Sequence, residues 1–308
     1  YFEMLINTPR ITIAGTGGDS GKTILSCGLA SGLIDRGYSV APFKKGPDFI
    51  DPAWMKLAAG ETSRNLDTFL MEKGDIMNSF FHNSIEKDIA VIEGNRGLYD
   101  GFDEKGSHST AELAKLIESP VILVFSARKV TRTAAAVALG MKMLDRKVNI
   151  AGVVLNLVAG KRHRAILRNA IENETGIPVI GMIPKYRKAD LLPSRHLGLV
   201  MPEEMQKAKE SVMEAGKLVS DNVDIDKILE IAKNAPAVEF QDSRKTEAAK
   251  SGVKIGYFRD RAFSFYYPEN LEALENKGAE LIPVSSIEDE VLPEIDALYI
   301  GGGFPETR

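Results

Sequence analysis

The sequence carries one cysteine in 308 residues. A single thiol excludes an intramolecular disulfide framework and a cysteine-rich zinc site. It fits a reducing, cytoplasmic setting. The four histidines show no metal-ligand spacing, and no serine–histidine–aspartate arrangement is visible. There is no basic excess: 39 Lys and Arg face 43 Asp and Glu, for a formal net charge of −4. That balance argues against a general nucleic-acid binder. No apolar run approaches the roughly 18–20 residues that span a bilayer. No signal peptide is recognisable, so no membrane partner is expected. Internal repeats and low-complexity tracts are lacking as well. What remains is a globular composition of 44% hydrophobic and 27% charged residues, far from a disordered chain. At roughly 100–200 residues per domain, the length fits two domains, or one and part of another.

Short β-rich apolar runs alternate with helical patterns. Arg10–Gly15, Ser39–Phe43, Asp88–Ile92, Val121–Phe125, Ile150–Leu155 and Val179–Ile183 read as strands. Lys22–Arg36, Asp75–Ile85, Thr110–Ile117, Arg132–Leu144 and Arg162–Glu174 read as helices. The alternation predicts an α/β fold: a doubly wound, mostly parallel sheet with helices on both faces. Ligands of such sheets bind at the carboxyl ends of the strands. This domain is expected over residues 8–235, with 203–235 helical and free of strands. Residues 236–252 are polar and read as a linker. A second α/β unit starts at Val253. It has strands at Val253–Phe258, Ala279–Val284 and Ala297–Ile300, and a helix at Pro268–Lys277. Residues 253–308 are few for such a domain, so a truncated one is expected. Met4 reads as a native start, with Tyr1-Phe2-Glu3 as a non-native leader.

The run Gly15-Thr-Gly-Gly-Asp-Ser-Gly-Lys-Thr23 joins a strand to a helix. Its backbone N–H groups can cradle phosphate oxygens at the helix N-terminus. Thr16, Gly17, Gly18, Asp19, Ser20 and Gly21 form this P-loop. Lys22 would reach the β/γ phosphates and the Thr23 hydroxyl would bind Mg²⁺. The usual first glycine of the pattern is Thr16 here, and Gly15 comes one residue early. A nucleotide is implied, but not yet a reaction.

The second strand ends in Phe43-Lys-Lys-Gly-Pro-Asp-Phe-Ile-Asp-Pro52. Lys44 can neutralise charge during phosphoryl transfer, and Asp48 can join the Mg²⁺ shell. Lys44, Asp48 and Asp51 are the candidate catalytic residues, with Pro47 and Pro52 as turn residues. The third strand ends in Glu93, the place of a Mg²⁺-holding acid in phosphoryl-transfer sites. Arg96, Tyr99 and Asp100 then point toward whatever lies opposite the nucleotide. Asn156 ends a strand near the nucleotide and either reads its base or caps a turn. Arg195 and His196 follow a strand end, as substrate contacts or structural residues. Arg128 and Arg132 read as surface charges and Cys27 as core. Ser63-Arg-Asn-Leu-Asp67 falls in a helical region and is unremarkable alone.

Taken together, these motifs resemble the cobyrinic acid a,c-diamide synthase family. The resemblance rests on Gly15–Thr23, Pro42–Pro52, Ser63–Asp67, Glu93-Gly with Gly97-Leu-Tyr-Asp-Gly101, and Arg195-His-Leu-Gly-Leu199, in that order. Lys254-Ile-Gly, Phe265–Asn270 and Tyr299–Glu306 are similar to the start of the family's class I glutamine amidotransferase domain. The resemblance implies ATP and Mg²⁺ as cofactors. It also implies a tetrapyrrole substrate (cobyrinate, Ni-sirohydrochlorin or sirohaem), glutamine or ammonia as nitrogen donor, and a homodimer. Arg64, Asn65 and Asp67 then become substrate contacts, with Arg96, Tyr99, Asp100, Arg195 and His196. The implied reaction amidates the a- and c-acetates through an acyl phosphate, within cobalamin or coenzyme F430 biosynthesis. Asn95-Arg96-Gly97 departs from the Met-Gly of the cobyrinate branch and resembles the other two. No Cys or His follows His196, so glutamine cleavage by the family's Cys–His route is not expected of this chain. Three alternatives compete: a ligase of the dethiobiotin synthetase type, a partitioning ATPase, and a tetrapyrrole carrier without ligase activity.

Overall fold

The computed structural model describes residues 2–186, 191–192, 194–195, 198–199, 201–202, 205–242 and 252–307. The chain divides into two compact units, residues 1–202 with 207–243 and residues 203–206 with 244–308. Among the described residues, no helix is long and apolar enough to cross a membrane.

The first unit begins with β1 (Phe2–Ile6), β2 (Arg10–Gly15), α1 (Lys22–Asp35), β3 (Val40–Lys45), α2 (Ile50–Ala59) and β4 (Arg64–Leu66). It continues through α3 (Lys73–Ser84), β5 (Ile89–Gly97), α4 (Thr110–Leu116), β6 (Val121–Ser126), α5 (Thr133–Leu144), β7 (Ile150–Val158), α6 (Lys161–Thr175) and β8 (Val179–Pro184). A hairpin of β9 (Ser194–Arg195) and β10 (Gly198–Leu199) precedes α7 (Ala208–Asn222), α8 (Ile225–Lys233) and β11 (Val238–Asp242). Seven strands form one sheet in the order β4-β3-β5-β2-β6-β7-β8, with every pairing parallel. One face buries Ile76 and Phe80 of α3, with Leu113 of α4, against Phe43 and Ile92. Farther along, α5 and α6 bury Ala135 and Leu167 against Val121 and Val153. Helix α1 packs between the sheet, α2 and α7. It is therefore buried nearly all round, Cys27 included. Burial pushes the Cys27 thiol well up, as a core thiol requires.

Three local expectations are corrected and one further helix appears. Residues 64–66 are an edge strand, not helix, paired along Phe43–Lys45. A three-residue strand is too short to show a period. Residues 50–59 form a helix that was not expected, with Pro52 in its first turn, where a missing N–H does no harm. Strand β5 runs on through Gly97, so Glu93 lies inside it. The polar run from Pro236 is not linker throughout, since β11 pairs antiparallel with β1. Phe2 and Glu3 lie in that pairing.

In the second unit, β12 (Lys254–Phe258) is the centre of a parallel sheet. Its neighbours are β14 (Glu280–Val284) and β15 (Ala297–Tyr299), with β13 (Phe263–Phe265) and α9 (Pro268–Asn276) between. Phe263–Phe265 pairs with β16 (Gly302–Gly303). The expected strands and helix are all present.

Arg10 ties the first unit together. It is fully buried, and its guanidinium donates to Ile117 O (2.7 Å), Thr8 O (3.0 Å), Glu118 O (3.5 Å) and Pro236 O. It thereby clamps the end of α4 and the segment entering β11. Burial lowers its pKa to about 10, with Glu118 opposing. Arg10→Met removes every donor and leaves buried carbonyls bare, at a cost of about 3 kcal/mol or more. The check is denaturant unfolding followed at Trp54, the only tryptophan and a buried one. An unchanged midpoint would show that the clamp contributes nothing.

Candidate active site

The P-loop lies between β2 and α1. A Cβ at Gly15 would sit 2.1 Å from Ser20 Oγ. Glycine is thus needed at 15, one place early, and Thr16 is tolerated beside it. Gly21 has φ of 105°, and a Cβ there would meet Asn156 Nδ2 at 2.2 Å. Only glycine combines that backbone with that approach. Lys22 Nζ donates to Gly17 O (3.0 Å) and Arg96 O (2.7 Å), so its ammonium lies along the loop. Burial lowers its pKa, and Glu93 opposes the shift.

Beneath the loop lies a buried charge cluster. Lys44 is 1% exposed and Glu93 fully buried. Lys44 Nζ donates to Asp51 Oδ2 at 2.5 Å, Glu93 Oε1 at 3.1 Å and Gly94 O at 3.2 Å. Burial works against its charge, but Asp51, Glu93 and Asp48 outweigh it, so its pKa rises. Thr23 Oγ1 donates to Glu93 Oε1 at 2.8 Å. Burial pushes the Glu93 carboxyl up to about 7, with Lys44 opposing and Asp51 adding. Glu93 Oε2 and Ser20 Oγ are buried without a hydrogen-bond partner. An orphaned carboxylate oxygen beside the Thr23 hydroxyl is a donor set that suits Mg²⁺. Among the described residues, no three His, Cys, Asp or Glu converge on one point. Thr23 and Glu93 would therefore hold the ion together with phosphate oxygens and water. The bound ion would supply charge neutralisation.

Other expected residues take positioning places. Asp48 Oδ1 accepts from the N–H groups of Ile50 and Asp51, capping α2. Burial and then Asp51 raise its pKa. Only its second oxygen is left for a cation. Asn65 Nδ2 donates to Gly46 O and Asp48 O, both at 2.7 Å, and so fixes the loop after β3. Asn156 Nδ2 donates to Ser20 O and to the Tyr186 hydroxyl, both at 3.2 Å. Its amide is thus engaged with the P-loop backbone. Asp100 Oδ2 accepts from Gly97 N–H at 2.8 Å. Tyr99 is turned away from the site: its hydroxyl donates to Met141 O on α5, and its ring packs on the core. Arg64 starts the edge strand. The backbone of Arg195 lies in β9. Its side chain, and His196 altogether, lie outside the described residues.

Beside this cluster opens a cleft of about 410 Å³. Asp67, Arg96 and Asp100 line it, as the motifs suggest. So do Lys45, Phe69, Phe102 and His108, which motif reading missed. The β3 alternation carried a signal for Lys45, because adjacent lysines on a strand cannot share a face.

The Glu93 shift has a defined pH signature. Its folded-state pKa lies above the ordinary value of 4.5. Between about pH 4.5 and 7 the unfolded chain is ionised while the fold retains the proton, so stability falls as pH rises through that window. Glu93→Gln removes this loss. In Mg²⁺-free solution the variant gains on the wild type by up to about 3 kcal/mol between pH 4.5 and 7. Parallel stability curves for the two proteins would rule out a raised Glu93.

Residues 11–200 match the CobQ/CobB/MinD/ParA nucleotide binding domain family. Residues 254–308 match the CobB/CobQ-like glutamine amidotransferase domain family. A cobyrinate a,c-diamide synthase of Archaeoglobus fulgidus is 47% identical over 98% of the chain and 66% of its own length. That of Magnetococcus marinus is 43% identical over 97% and 65%. That of Methanobrevibacter smithii is 42% identical over 96% and 66%. The chain spans just under two thirds of the length of these relatives. A P-loop on a seven-stranded parallel sheet, with Lys22 and Thr23 at the start of α1 and the Thr23 hydroxyl bonded to Glu93 of β5, agrees with the match, and the chain belongs to the CobQ/CobB/MinD/ParA nucleotide-binding family.

Proposed function

We propose that this chain carries the ATP-dependent synthetase part of a tetrapyrrole a,c-diamide synthase. The observation that carries the reading is the Thr23–Glu93–Lys44–Asp51 cluster beneath the P-loop, with a cleft of about 410 Å³ lined by Lys45 and Arg96 beside it. Similarity to the cobyrinate a,c-diamide synthases supports it. ATP and Mg²⁺ are the cofactors, glutamine supplies the nitrogen in the longer protein, and the lone buried thiol suits the cytoplasm.

The chemistry follows from charge. A carboxylate is a poor electrophile. Its oxygen attacks the γ-phosphorus, the bond to the β–γ bridging oxygen breaks, and ADP leaves. The acyl phosphate then takes ammonia at carbon, expels phosphate, and gives the amide after loss of a proton. The P-loop N–H groups and Lys22 hold the polyphosphate. Lys44, kept cationic by Asp51 and Glu93, offsets the negative charge that accumulates as carboxylate and phosphate approach. Asp48 keeps α2, and so Asp51, in place. The relatives favour cobyrinate, whereas Asn95-Arg96-Gly97 departs from that branch, so Ni-sirohydrochlorin and sirohaem stay as candidate substrates.

The test is incubation with Mg²⁺-ATP, an ammonium salt and each of the three tetrapyrroles, followed by mass spectrometry. Two exchanges of OH for NH₂ on one of them are expected. Glutamine in place of ammonium gives none with this chain, because it carries no Cys or His beyond residue 196. Lys22→Met lowers amidation by roughly 10²–10³-fold, the usual loss on removing a charge-stabilising donor. ATP binding without amidation of any tetrapyrrole would favour the carrier alternative.

A further inference from the structure

The cleft holds residues that the nucleotide chemistry does not use. Ala41 and Phe43 join the core under α3 and α4, and side chains alternate along a strand. Lys45 therefore shares their face, and Lys44 takes the face of Thr23 and Glu93. Lys45 is 8% exposed, yet its ammonium makes no hydrogen bond or ion pair with a described residue. Burial lowers its pKa, with Asp67 opposing and Arg96 adding. Asp67 itself is engaged: its Oδ1 accepts from Phe69 N–H (2.8 Å) and Leu70 N–H (3.3 Å). A nearly buried ammonium with no hydrogen-bonded anion is costly. Its opening is into the cleft.

The same cleft carries exposed rings. Phe69 is 60% exposed and Phe102 76%. They stack with centroids 5.6 Å apart at 28°. His108 meets Phe69 edge-on at 5.4 Å, and its Nδ1 lies 2.7 Å from Thr68 O. The Asp67 turn and this histidine fix the rings in place although water still covers much of them. Aromatic faces held out in this way are binding surface.

Resting on the synthetase reading above, we propose that Lys45 and the Phe69–Phe102 pair determine substrate choice: Lys45 binds a carboxylate of the substrate, and the rings take its flat apolar face. The occupant must be both flat and anionic. A nucleobase would use the rings and leave Lys45 bare. An inorganic anion would do the reverse. A macrocycle with peripheral carboxylates satisfies both.

Equilibrium titrations of the 308-residue chain, read by tetrapyrrole absorbance, separate these cases. The probes are cobyrinate and a fully amidated corrinoid without free carboxylates. Lys45→Met weakens cobyrinate binding by at least about tenfold, the loss of one charge-assisted contact, and changes amidated-corrinoid binding by less than about twofold. Lys45→Arg retains cobyrinate binding. Phe102→Ala, at an exposed position that does not threaten the fold, weakens both probes by a similar factor. The KM for ATP stays unchanged in all three variants. Equal effects of Lys45→Met on both probes, no effect on either, or a matching rise in the KM for ATP overturns the assignment. A wild-type chain that binds cobyrinate but never amidates it removes the synthetase reading and leaves the site standing. One that binds ATP and neither corrinoid overturns both.

Discussion

A lysine ammonium buried between two carboxylates is the constraint on which the candidate site depends. Lys44, Asp51 and Glu93 come from the end of β3, the first turn of α2 and the middle of β5. Neither Lys44 nor Glu93 is tolerable there alone. An isolated buried charge would cost several kcal/mol, and a pair recovers that only with good geometry. The geometry comes from the parallel register, in which Lys44 lies opposite Glu93. It also comes from Asp48, which caps α2 and so sets Asp51. One carboxylate oxygen of Glu93 remains unsatisfied. That open acceptor, beside the Thr23 hydroxyl, is where a divalent ion would add positive charge.

The parts legible in the sequence were those whose meaning is local. The P-loop is legible in nine consecutive residues, Gly15 to Thr23, and Glu93 in its place after an apolar run. Even the early Gly15 is a local matter, settled by contact with Ser20 Oγ. The missed parts depend on partners far along the chain. Strand β4 is extended only because β3 lies beside it. Phe69 and Phe102 are 33 positions apart and unremarkable until a turn and a loop bring them into contact. β11 alternates inward Val238 and Phe240 with outward Glu239 and Gln241. That short period was lost in the polar run beside it. Tyr99 sat within a motif and was assigned with it, yet its ring faces the core.

Some motif residues act through others. Asn65 and Asp48 are expected to meet ligand, and Asn156 to meet ligand or cap a turn. Each also fixes backbone: Asn65 the loop after β3, Asp48 the start of α2, Asn156 the P-loop itself. Short polar side chains suit this work because they reach nearby N–H and C=O groups at little entropic cost.

Arg96 joins the two halves of the site. Its φ is 48°, a region that disfavours a long side chain. The backbone holds it there because its two ends have different tasks. The carbonyl accepts from Lys22 on the nucleotide side, and the side chain lines the cleft on the other. An ordinary strand conformation would not turn both groups this way at one residue. Strain of this kind persists only where the surroundings over-determine it. Here the surroundings are the P-loop lysine and the Gly97–Asp100 turn. The nucleotide site and the cleft thus meet at this one residue, whose carbonyl faces the P-loop lysine and whose side chain lines the cleft.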